Sequence, residues 1–204
     1  MQTMLRRILI VSSLAFAYGI SAASAQELVR LRGTIEKVDG TAFLVKSRDG
    51  AMVKVAMTDK PLYVAIVKAS AADIKPGSFV GTTAMPDSGD TLKAVEVHIF
   101  PEAMRGTGEG HRPWDLKPES TMTNANVEQS VTGMNGQTML LKYKGGEKKV
   151  AITPDTVIVT YAEGDVKELT PGTAIFVTNG EKQADGSIRA PRITYGRNGL
   201  VPPM

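Results

Sequence analysis

No cysteine occurs among the 204 residues. That excludes disulfides, thiolate metal sites and cysteine nucleophiles, and it leaves the fold to its apolar core. Aromatic residues make up only 5%, with one Trp, five Phe and five Tyr. This is too few to line a nucleic-acid groove with stacking platforms. Histidine is limited to His98 and His111, so any imidazole chemistry has to use one of the two. There is no Gly-x-Ser-x-Gly elbow and no His-Glu-x-x-His motif. Acids are plentiful, so a carboxylate pair of the glycosidase kind stays open on sequence alone. The balance of these absences predicts a protein that is not an enzyme.

Long apolar runs are also missing, apart from Ile8 to Ile20. That run is shorter than the ~18–20 residues needed to cross a bilayer. Arg6 and Arg7 precede it and Ala23-Ser24-Ala25 follows it, the pattern of a secretory signal peptide over residues 1–25. The expected mature chain starts near Gln26, has no membrane span and resides in the periplasm or outside the cell. Strong net charge is absent as well. Without the two leader arginines, the remainder holds 22 basic against 21 acidic residues. A near-neutral chain lacks the field that gathers nucleic acid, so no nucleic-acid partner is expected.

What is present is a repeat at a spacing of about 95 residues. Asp39-Gly40 recurs as Asn135-Gly136, and Phe43-Leu44-Val45-Lys46 as Met139-Leu140-Leu141-Lys142. Lys54-Val55-Ala56 recurs as Lys149-Val150-Ala151, and Asp73-Ile74-Lys75-Pro76-Gly77 as Glu168-Leu169-Thr170-Pro171-Gly172. Leu92-Lys93-Ala94 falls opposite Ile188-Arg189-Ala190. In each copy, alternating apolar residues predict short strands, separated by Asp-Gly, Asn-Gly or Gly-Gly turns. In the first copy Pro61 is expected to interrupt the third strand, with a further short apolar strand from Leu62 to Val67. Ala69–Asp73 is the one helical turn.

Three meander strands, a helical turn and a hairpin follow the order of an OB-type barrel. The predicted fold is all-β: two tandem five- to six-stranded OB-like barrels, each with one helical turn, after the signal peptide. The first spans 26–100 and the second 124–204, with a Gly/Arg-rich crossover over 101–123. The phrases Ile74-Lys75-Pro76-Gly77-Ser78-Phe79-Val80 and Leu92-Lys93-Ala94-Val95-Glu96-Val97 resemble uncharacterised exported bacterial OB-fold domains. The stretch from His98 to Asn124 is similar to that of an uncharacterised secreted alpha-proteobacterial family, some members of which are labelled metal-transporter permeases. The resemblance implies the fold and export. A permease is at odds with a chain whose sole long apolar run is its leader.

The chemistry concentrates in the crossover. Arg105 and Arg112 have the charge to grip a carboxylate or phosphate. Gly106, Gly108 and Gly110 free backbone amides to converge on an anion, and His111 and Trp114 complete the candidate ligand site. No Gly-Lys-Ser/Thr follows the glycines, so this is not a P-loop. His98 stands in Val95-Glu96-Val97-His98-Ile99, where alternation assigns Glu96 and His98 to a polar, solvent-facing side. A second reading joins His98 and His111 to Met104 and Met122 as a soft site for copper or zinc; otherwise no cofactor is expected. The sequence thus points to an exported, non-enzymatic binding or scaffolding protein of the cell envelope. Its expected partner is an envelope protein, a peptide or a small anionic ligand, and periplasmic metal handling is the alternative.

Overall fold

The computed structural model describes residues 27–133 and 136–204. The signal-peptide reading, and Asn135 of the Asn-Gly turn, lie outside these residues. Among the described residues the protein is all-β, with twelve strands and four single-turn 3-10 helices, and no helix is long and apolar enough to cross a membrane. The first five strands are β1 (Leu28–Asp39), β2 (Ala42–Ser47), β3 (Met52–Lys68), β4 (Phe79–Pro86) and β5 (Thr91–Ile99). The crossover contributes β6 (Gly110–Pro113). Next come β7 (Thr121–Gly133), β8 (Gly136–Tyr143), β9 (Gly146–Ile152) and β10 (Val157–Glu163), then β11 (Ala174–Lys182) and β12 (Ile188–Gly196). The helical turn foreseen before Pro76 is a 3-10 turn at Ala71–Asp73, and its counterpart is Val166–Glu168.

The strands close into five-membered rings, but not in the order of the chain. β1, β2 and β3 form the expected meander. The ring is then closed by β12, parallel to β3, and by β11, which pairs with both β12 and β1. The hairpin β4–β5 goes the other way. β4 pairs with β7 and β5 pairs parallel with β9, closing a second ring through β7, β8 and β9. Each barrel is thus built from a meander of one half and a hairpin of the other. This departs from the expectation of barrels at 26–100 and 124–204 that each complete themselves.

Two apolar cores fill the rings. Ile35, Phe43, Val45 and Val55 of the first meander pack with Ile175, Val177, Ile193 and Tyr195 of the β11–β12 hairpin. Val127, Met139, Leu141 and Val150 pack with Val80, Ala84 and Val97 of the β4–β5 hairpin. Burying one such side chain contributes about 1.5–3 kcal/mol, so each hairpin is held by the core of the opposite half. A third cluster joins Ile66, Met122, Val159, Phe176 and Met204; it draws on both meanders.

Pro61 does not end β3. Met57 pairs with Ala190 and Leu62 with Arg192, so residues 58–61 of β3 bulge opposite Pro191. Proline has no N–H to give a ladder, and both prolines sit where the ladder is broken. Beyond the bulge, β3 runs antiparallel to β10, which also pairs parallel with β5. In that pairing Ile66 lies opposite Tyr161, residues separated by the spacing of the sequence repeat.

Because neither half closes its own ring, residues 27–107 and 108–204 made as separate chains should each fail to give a folded monomer. Co-expressed, they should associate one to one and regain the β-sheet circular dichroism of the intact protein. Size-exclusion chromatography with light scattering checks this, and a folded monomer from either piece alone would contradict the exchanged pairing.

Candidate functional site

The pairing covers the C-terminal halves of β5 and β12 on both faces, and a cavity of about 450 Å³ opens where the rings meet. A hollow of that size falls in the range of small-molecule sites. Its cationic lining is Arg30 from β1, Arg112 from β6 and Arg192 from β12. Among the described residues no acidic side chain lines it. Trp114, Phe100, Phe176 and Tyr161 give it aromatic walls, and Met122 and Met204 add soft apolar surface.

The crossover reaches this cavity as a strand. Gly110–Pro113 pairs antiparallel with residues 121–124 of β7, which places Arg112 opposite Met122 and His111 opposite Thr123. Alternation along so short a strand separates their side chains. Arg112 and Trp114 line the cavity, whereas His111 holds Thr123 Oγ1 at 2.8 Å and stacks on Tyr143. Burial, then the charges of Lys148 and Arg112, lower the His111 pKa from its ordinary value.

The Trp114 ring collects guanidinium groups. Arg30 lies 4.1 Å from its centroid and Arg112 5.6 Å, and each such contact contributes about 0.5–2 kcal/mol, more as water is excluded. Asp115 anchors this corner to β1 by accepting from Arg32 at 2.8 Å and facing Arg30 at 3.6 Å. Burial disfavours its charge, but the Arg32 hydrogen bond and the two arginine charges carry the Asp115 pKa below the usual carboxylate value.

Arg112 differs. It donates to Gly108 O at 2.8 Å and forms no ion pair among the described residues. Burial and then the charge of Arg30 lower its pKa, which marks like charges held close together. Arg192 forms no ion pair among the described residues either, and its Nε is buried without a partner. Trp114 Nε1 and Asn124 Oδ1 are also buried and unpartnered. Each such atom costs about 1–3 kcal/mol when it is left unbonded.

Glu96 and His98 are not on a solvent face. Glu96 is 0% exposed and His98 is 3% exposed, because the outer side of β5 is covered by the junction between the rings. Glu96 Oε1 accepts from the Thr83 amide and hydroxyl, both at 2.8 Å, and Oε2 lies 3.0 Å from His98 Nδ1. The imidazole is wedged edge-on between Phe100 and Tyr161, at centroid distances of 4.8 and 5.7 Å. Burial raises the Tyr161 phenol well above its ordinary value, with Arg192 opposing and Glu96 reinforcing; the hydroxyl therefore stays protonated.

Of the residues singled out from sequence, the cavity brings together Gly108, Arg112, Trp114, His98 and Met122. Arg105, Gly106, Gly110, His111 and Met104 do not line it. Arg105 is fully engaged elsewhere: it chelates Glu102 at 2.6 and 2.7 Å and donates to Asn126 Oδ1 and Gly77 O. The candidate metal residues divide, with His98 and Met122 on the cavity and His111 and Met104 away from it. Among the described residues, no group of three or more His, Asp or Glu is arranged to hold a metal.

Arg30, Asn124, Tyr161 and Arg192 were not foreseen. The available signal was Arg192 itself, a lone charge in Pro191-Arg192-Ile193-Thr194-Tyr195, at the repeat position that Glu96 occupies in β5. A more open hollow of about 670 Å³ beside Ile74 and Pro154 carries a single cation, Lys75, with Ser130, Thr132, Gln137, Thr153 and Thr156 as its other polar side chains.

Gly81 packs against two side chains that line the cavity: a Cβ there would stand 2.0 Å from His98 Nε2 and 2.6 Å from Asn124 Oδ1. Gly81→Ala should destabilise the protein by about 1–3 kcal/mol through overpacking. That is a fall of several degrees in melting temperature by differential scanning calorimetry, and an unchanged melting temperature would contradict the crowding. Comparison of the chain with protein-family models, with curated proteins and with solved structures gives no match.

Proposed function

We propose that the protein is a non-enzymatic binding protein whose inter-barrel cavity takes a small organic anion, a carboxylate or phosphate carried on a flat or apolar body. The observation that carries this reading is the convergence of Arg30, Arg112 and Arg192 on one cavity without an acidic side chain. Two of these guanidiniums lack an ion-pair partner among the described residues, and an anion would relieve their mutual repulsion through bidentate hydrogen bonds. Trp114, Phe100 and Phe176 offer the surface for an aromatic or aliphatic body.

We also read the two rings as OB-type barrels of one duplicated unit with their hairpins exchanged. The matching orders β1-β2-β3-β12-β11 and β7-β8-β9-β5-β4 support this, as does the pairing of Ile66 with Tyr161 at the repeat spacing. On this reading the cavity lies at an approximate two-fold axis, and its charge is what the two copies do not share. The leader read in residues 1–25 assigns this activity to the periplasm or the cell exterior. The alternative, copper or zinc handling, retains only His98 and Met122 on a common cavity.

Calorimetric titration with 3-phenylpropionate and with phenyl phosphate tests the anion reading. Saturable binding of at least one is expected, weakened tenfold or more by Arg112→Gln and by Arg192→Gln. Arg105→Gln, which lies outside the cavity, should leave the affinity within twofold. No binding of either probe, or equal loss in all three variants, would refute the assignment.

A further inference from the structure

The cavity also presents hydrogen-bond acceptors that an anion cannot satisfy. Glu96 is held as an acceptor by the Thr83 amide, which donates to Oε1 at 2.8 Å. His98 Nδ1 is assigned as the donor to the other oxygen, Oε2, across 3.0 Å. In that tautomer the lone pair lies on Nε2. That nitrogen has no hydrogen-bond partner among the described residues, and it lies over Gly81.

Asn124 is 5% exposed. Its Nδ2 donates to Thr107 O at 2.9 Å, which fixes the amide so that Oδ1 is the free atom. Oδ1 is buried and unpartnered. It approaches the same point as His98 Nε2: a Cβ on Gly81 would be 2.6 Å from the one and 2.0 Å from the other. Both atoms therefore pack against Gly81, which has no Cβ to crowd them. Both residues line the cavity that holds the three arginines.

Cationic donors and a pair of neutral acceptors thus share one cavity. Sulfate or a simple carboxylate engages the first set and leaves the second unsatisfied. Building on the anion reading, we propose that the ligand is a small organic acid that also carries an O–H or N–H donor next to its acid group, a hydroxy acid or amino acid with an apolar or aromatic side chain. The acid group meets the arginines, the donor meets His98 Nε2 and Asn124 Oδ1, and the side chain meets the aromatic wall. The Glu96–His98 pair is a positioning device: the carboxylate fixes the tautomer that accepts.

Two acids that differ by one hydroxyl, 3-phenyllactate and 3-phenylpropionate, test this by calorimetry on the full protein. The hydroxy acid is expected to bind at least tenfold tighter to the unaltered protein, a comparison that needs no variant to fold. In Asn124→Leu and in Glu96→Gln, with folding checked by melting temperature, the ratio should fall toward one; a ratio kept at tenfold in both folded variants would overturn the assignment of these acceptors. Equal affinities for the two acids in the unaltered protein would overturn this inference and leave the anion reading standing. Failure of both to bind at millimolar concentration would overturn both.

Discussion

Each barrel is closed by a hairpin from the other half of the chain, and the rest of the structure depends on that exchange. A hairpin that closes a neighbouring ring has to pass through the junction between rings, so the C-terminal halves of β5 and β12 are covered on both faces. Their inward side chains complete the two apolar cores. Their outward side chains, Glu96 and His98 on one and Arg192 and Thr194 on the other, meet in the space between. Polar groups placed there have lost water and need partners. Glu96 finds three donors in Thr83 and His98. Arg192 Nε finds none.

That imbalance gives the junction its character. A fold that needed the region only for packing would fill it with aliphatic residues at lower cost, since burying charge is expensive unless it is paired. Here three guanidiniums, a free amide oxygen and a free indole N–H surround one hollow, while the nearby acids are already spent: Asp115 on Arg30 and Arg32, Glu96 on Thr83 and His98. Unsatisfied polar groups gathered around a cavity are where a bound water or ligand would find hydrogen-bond partners.

Much of the fold was legible in the sequence. Alternation at Val53, Val55 and Met57, and the turns at Asp39-Gly40 and Asp49-Gly50, specify strands and hairpins locally. Which ring a hairpin closes is not local. Each half carries an alternating apolar meander, so alternation alone does not say which of the two β4–β5 closes. The site was half legible for the same reason. Arg112 and Trp114 stood out because the crossover has no counterpart in the repeat. Arg30, Asn124, Tyr161 and Arg192 come from four separate strands, and only the exchange brings them together. Alternation placed Glu96 and His98 on the face opposite Val97 but says nothing of what covers that face. Arg105 matched Arg112 in chemistry, yet Glu102 three residues earlier was the sign that its charge is used within the crossover.

The single Trp offers the most direct measurement. Trp114 lines the cavity and its Nε1 is buried without a partner among the described residues; as the sole Trp it gives one indole N–H resonance, which reports from beside the cavity. In a 15N-correlated spectrum, titration with 3-phenyllactate should move that resonance progressively to a plateau, with the midpoint of the calorimetric binding curve. An indole resonance that stays in place while the protein is saturated with ligand would mean that binding occurs elsewhere and that the junction between the barrels is not the site.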